Sequence, residues 1–155
     1  MNKNMVLVTT VLTRAQIDVL PTARTYASHA SLVVGIKVSE QNVGGARSAL
    51  QQRLTVHASL SKDTTIDVDG MKMNTLVGGG DSMPDHNDAM IQEVTVQVSA
   101  PSAEVSAGGP HLNLIPREGG NAFSGATYVA YTDGAFQSDN VTPELRPILG
   151  AGNRL

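Results

Sequence analysis

The chain has 155 residues, 41% of them hydrophobic, which suits one compact domain with a real core and is too apolar for wholesale disorder. Eleven Lys and Arg against 14 Asp and Glu give a formal net charge of −3 with no concentrated basic stripe, which argues against a nucleic-acid partner. Cysteine is absent, so thiol catalysis, disulfides and thiolate metal sites are excluded.

Lys3 and the apolar run Met5–Leu12 make no convincing export signal, because Thr9 and Thr10 break the run and no clear small-residue cleavage site follows. Met5–Leu12 reads instead as a strand or extended arm. Thr13 with Gln16 forms a capping-box pattern for a short helix, Arg14–Leu20, stopped by Pro21. Thr22 is expected to cap a second helix, Arg24–Leu32, that Gly35 ends. Ile36–Ser39 is a short strand, Gln41–Gly45 a polar loop, and Leu54–Val56 another strand. Asp69-Gly70 lies between alternating segments, Thr65–Val68 and Met71–Thr75, and predicts a tight hairpin turn.

Gly78–Gly80 marks a corner, and Pro84 is placed to open a helix through Asp85–Met90. Glu93–Ser99 alternates Val94, Val96 and Val98 with polar residues, the pattern of a half-buried strand. Pro101 and Ser102 start a turn, and His111–Ile115 gives a further strand. After the loop Pro116–Asn121, Ala122–Thr132 alternates around Phe123, Tyr128 and Tyr131, and the tail beyond Gly134 is irregular. No repeat is visible. The sum is an α+β fold: a small mixed β-sheet with short helices.

The chemistry-bearing residue types form no coherent catalytic, cofactor or metal constellation. Gly78–Gly80 lacks the spacing and the Lys of a phosphate loop. Asp81, Asp85, His86 and Asp88 are the densest group of potential ligands, but they do not match an EF-hand and read better as a solvated turn. Asp67 and Asp69 share a strand face by spacing, and His57 with Ser59 lies nearby, yet no nucleophile elbow accompanies them. Arg24, Arg53, Arg117 and Glu118 read as structural charges, of the kind that fastens two elements through a carboxylate. Four of the five aromatics, Phe123, Tyr128, Tyr131 and Phe136, crowd one segment, as either a local core strand or a face for a partner.

Several ordered stretches resemble the plug domain of large, carboxypeptidase-regulatory-like TonB-dependent outer-membrane receptors. They are Leu20-Pro21-Thr22-Ala23-Arg24-Thr25-Tyr26, Val43-Gly44-Gly45, Ile66-Asp67-Val68-Asp69-Gly70-Met71 and Ala89–Gln97. They continue through Ser102–Gly109 and Asn113–Gly125, so the resemblance covers about Arg14 to Leu145. It implies a mixed sheet of about four strands that occludes a barrel of about 22 strands. In such receptors the plug moves when an energy-transducing inner-membrane partner pulls on it. Three positions depart from the pattern: Val34 in place of Pro, Ala58 in place of Gly, and Pro110 in place of Val.

The resemblance divides the chain into an N-terminal arm or strand (1–13), a plug-like domain (14–121), a strand resembling the first barrel strand (122–136) and an irregular tail (137–155). It implies a non-enzymatic gating or binding role in nutrient uptake when joined to a barrel, at the outer membrane or in the periplasm. Phe123, Tyr128, Tyr131 and Phe136 are then candidate assembly or barrel contacts, and Arg24, Arg53, Arg117 and Glu118 candidate docking charges. The alternative is a stand-alone structural protein, extracellular or soluble, that self-assembles as a homo-oligomer or filament. A strand built to continue into a barrel would leave an unpaired edge for another copy.

Overall fold

A computed structural model of the chain describes residues 9–39, 52–75, 86–98 and 108–123, together with 125, 127, 129, 131, 133–136 and 142–144. Several expected features lie outside these residues: Met5–Val8, the Gln41–Gly45 loop, Gly78–Gly80, Asp81, Pro84, Asp85, the turn at Pro101 and Ser102, and Tyr128. Residues 1–125 and 126–155 form two separate compact units.

The first unit is built on a mixed sheet of five strands: β1 (Thr9–Thr13), β4 (Thr65–Val68), β5 (Met71–Lys72), β6 (Ile91–Gln97) and β7 (His111–Pro116), in the order β1-β6-β7-β4-β5. β4 and β7 run parallel and the other neighbours antiparallel. A separate antiparallel pair joins β2 (Ile36–Val38) to β3 (Leu54–Val56). The fold class expected from the sequence is therefore the one observed, with one more strand in the main sheet than the resemblance implies.

Period-two alternation puts Leu12, Val94, Val96, Leu112, Leu114 and Ile66 on one face, where they pack with Ile17, Ala27, Ala30, Val33, Leu54 and Val56 in a single core. Ile91 and Val94 are both buried although three positions apart, because a bulge between Ile91 and Glu93 resets the alternation. The opposite face carries Thr95, Gln97, His111, Asn113 and Asp67.

Helix α1 (Arg14–Val19) starts where the capping pattern places it: the Gln16 side chain accepts the Thr13 N–H at 2.9 Å. Helix α2 (Tyr26–Ala30) is shorter than expected. Thr25, not Thr22, is its cap, exchanging bonds with Ser28 in both directions (2.9 and 3.2 Å). Arg24 cannot join the helix because its φ is +55°. Gly35 does not end α2 either. It sits at φ +97° in a turn closed by Ile36 N–H donating to the Val33 carbonyl at 3.3 Å, which leads into β2. Val34 precedes it in that turn, with its side chain 93% exposed.

The Asp69-Gly70 turn is present, with φ of +51° and +77°, but β5 is only two residues long. Beyond it Asn74 takes over: its side-chain oxygen accepts the Ile66 N–H at 2.9 Å and its amide donates to the Thr64 carbonyl at 3.0 Å. Gly109 meets a 3-10 turn, Ser61–Asp63, so closely that a Cβ would lie 2.6 Å from the Asp63 carbonyl oxygen. The helix expected over Asp85–Met90 is, within the described residues, a single 3-10 turn, Asp88–Met90. It is capped by Asn87, whose side chain accepts the Ala89 N–H at 3.0 Å. The described residues of Ala122–Thr132 form no strand, and Gly134–Phe136 is a 3-10 turn.

Candidate functional site

The densest polar site of the first unit gathers on Asp88. The 3-10 turn lifts its carboxyl from the start of β6 toward α1 and α2, where its side chain is only 9% exposed. Arg14, the first residue of α1, donates from Nη2 to Oδ2 at 3.0 Å and from Nη1 to the carbonyls of Asp88 (2.8 Å) and Ile91 (3.1 Å). Its remaining donors turn to Asp18, one helical turn away. Arg24, on the connection between the helices, donates from Nη1 to the same Oδ2 at 3.2 Å. His29 of α2 donates from Nε2 to Oδ1 at 2.7 Å. One carboxylate thus ties three segments distant from it in sequence to the turn that opens β6, and the Arg117 N–H joins the end of β7 to the same turn through the Met90 carbonyl at 2.8 Å.

Burial alone would raise the Asp88 pKa, but the His29 hydrogen bond and the Arg14 contacts outweigh it and hold the group down at about 2. Asp18, although exposed, is also lowered, chiefly by Arg14, and Arg14 is raised in turn. Both carboxylate oxygens of Asp88 are engaged by cationic or ring donors, which holds the group ionised among internal partners. Asp88 is accordingly spent on internal contacts instead of standing in the solvated turn expected from the sequence, and no set of three His, Asp or Glu suited to a metal exists among the described residues.

Two costs accompany the cluster. Arg24 occupies the left-handed region, a conformation that costs a non-glycine residue about 1–2 kcal/mol. Nδ1 of His29 is buried without a hydrogen-bond partner.

A second polar pair lies on the opposite sheet face, where His111 Nε2 meets Asp67 Oδ2 at 2.7 Å across the parallel β4–β7 pair. Asp67 and Asp69 do not act together, since Asp69 is spent on the turn. His57 and Ala58 form another tight turn, with φ of +48° and +64°. Ser59 closes it: its N–H donates to the Val56 carbonyl at 2.7 Å and its Oγ accepts the Val56 N–H at 3.0 Å. Ser59 is therefore a turn residue. Pro110 precedes β7 and uses its carbonyl, which accepts the Thr65 N–H at 2.9 Å, so its missing N–H costs the ladder nothing.

Among the other residues singled out from sequence, Arg24 makes a single bond to the Asp88 carboxylate. Arg53 pairs by its backbone with Ser39, and Arg117 and Glu118 are exposed at the end of β7. Phe123, Tyr131 and Phe136 are exposed, and the rings of Tyr131 and Phe136 meet edge-on at 6.4 Å. Arg14 and His29 escape sequence reasoning. The Arg14–Asp18 spacing is a visible signal for a helical pair, but nothing in the sequence links either residue to Asp88.

Solved structures share the fold of this chain. The outer membrane transporter YddB from Escherichia coli matches 76% of the chain with a TM-score of 0.59 at 15% identity. The siderophore receptor PirA from Acinetobacter baumannii matches 73% with a TM-score of 0.55 at 17% identity. The ferric enterobactin receptor PfeA from Pseudomonas aeruginosa, as its R480A mutant in complex with enterobactin, matches 76% with a TM-score of 0.54 at 17% identity. The fold is that of a TonB-dependent receptor plug. The matched portions are 19%, 18% and 18% of those receptors, so the chain spans about a fifth of their length. No protein-family model and no curated protein sequence matches the chain. At these identities the plug fold, and not a substrate, is what the chain shares with them.

Proposed function

We propose that this domain serves as the plug of an outer-membrane receptor, a non-enzymatic element that gates or binds within a barrel during uptake of a nutrient. The observation that carries the reading is the fold match: three-quarters of the chain superimposes on about a fifth of several outer-membrane receptors and transporters. The self-contained Asp88 cluster supports a structural rather than a chemical role for the site.

In this reading the domain works at the outer membrane, joined to a barrel and coupled to an energy-transducing partner. Arg53, Arg117 and Glu118, with Phe123, Tyr128, Tyr131 and Phe136, are the side chains offered to the barrel wall. Exposed rings and charges at a protein boundary gain most when a partner desolvates them.

The test is a fusion of the chain, in place of the native plug, to the barrel portion of the E. coli transporter it matches. A plug should reduce the conductance of that barrel in a planar bilayer by at least about tenfold relative to the empty barrel. Conductance equal to that of the empty barrel, with the fused domain folded by circular dichroism, would reject the reading.

A further inference from the structure

We propose that the Asp88 cluster is a latch on a strained connection, whose release frees α1 and α2 from the sheet as a local unit while the sheet stays intact. The inference concerns the chain's own elements and goes beyond the plug reading, which it does not require. Three observations carry it.

The first is convergence. Arg14 of α1, Arg24 of the connection and His29 of α2 all end on one carboxyl in the 3-10 turn that leads into β6, at 3.0, 3.2 and 2.7 Å. The second is weakness of what is held. The helices are six and five residues long, too short to persist without tertiary support. The third is that the closed state carries internal costs: the left-handed backbone of Arg24 and the buried, unpartnered Nδ1 of His29. Both costs vanish when the segment lifts into water. At the centre of the sheet Val94, Val96, Leu112 and Leu114 are buried in antiparallel register between β6 and β7. Asp88, together with the burial of Ile17, Ala27 and Ala30, therefore holds closed a segment that carries these costs, and opening is local because the opposing strands do not depend on the carboxyl.

Amide hydrogen exchange on the 155-residue chain tests this, read at amides bonded within each element: His29, Ser31 and Val33 for α2, Leu20 for α1, and Val94, Val96, Leu112 and Leu114 for the sheet. After correction for intrinsic exchange, the helix amides of the wild-type chain should exchange at least about tenfold faster than its sheet amides, and Asp88→Asn should speed the helix amides by at least about tenfold. Helix and sheet amides exchanging alike in the wild type would show that the helices open only with the whole domain, and no helix acceleration in the variant would make Asp88 idle; either result overturns the latch.

A second comparison does not depend on that variant folding. Arg24→Ala and Arg24→Gly both remove the guanidinium, but only glycine removes the backbone strain. Helix amides should then exchange at least about fivefold faster in the alanine variant than in the glycine variant. Equal rates in the two would show that the connection stores no strain and reject the proposal.

Discussion

At the residue scale the informative positions are those where a side chain and a backbone conformation disagree. Asp69-Gly70 is legible from sequence because both residue types tolerate the left-handed region that a tight hairpin needs. His57 and Ala58 adopt the same conformation without either advantage, and no local pattern announces it. The resemblance does, since it places Gly where Ala58 stands. Ala58→Gly should accordingly stabilise the domain by about 1 kcal/mol, the strain relieved less the added chain entropy, read as a higher urea midpoint at unchanged slope. A lower midpoint would mean that the methyl group contributes packing worth more than the strain.

At the element scale, strands were more legible than helices. The alternation of Val94 and Val96 and of Leu112 and Leu114 names the core face directly, because a strand buries every second residue whatever its neighbours do. Helix α2 starts two residues later than the sequence pattern places it, since Thr22 and Thr25 are equally good caps on paper and only the Arg24 backbone decides between them. The close approach of β7's entry to the Ser61–Asp63 turn was hidden for another reason: it joins segments far apart in sequence. Gly109 makes that approach, donating its N–H to the Asp63 carbonyl at 3.1 Å. Gly109→Ala should cost about 2–3 kcal/mol, because the added Cβ meets backbone rather than a yielding side chain. Gly108→Ala, which meets open space, is the matched control, and thermal melts should separate the two by several degrees.

At the scale of the whole molecule, the Asp88 cluster links stability to acid. The folded pKa of about 2 lies below the ordinary 3.8, so the charged carboxylate stabilises the fold fully above pH 4. That contribution, on the order of 2 kcal/mol, fades as pH falls from roughly 4 toward 2. Asp88→Asn should destabilise the protein at pH 7 by about 2–4 kcal/mol, because two guanidinium groups lose their counter-charge. The gap between variant and wild type should then narrow at pH 2.5 in urea titrations. A gap independent of pH would show that shape, rather than charge, holds the cluster. Of this site the sequence yielded Arg24 and Asp88 separately, but not their meeting, since pairing across 64 residues is a property of the sheet order and of nothing local.

The Asn74 side chain has a consequence for how the sheet can meet other chains. By accepting from Ile66 and donating to Thr64, it stands in for a peptide group and seals the flank of β4 beyond the two-residue β5. Among the described strands, the long open margin is therefore β1, at the far side of the sheet. Growth of this sheet is directional: a strand arriving from outside finds a five-residue template at Thr9–Thr13 and only the two-residue β5 at the other border.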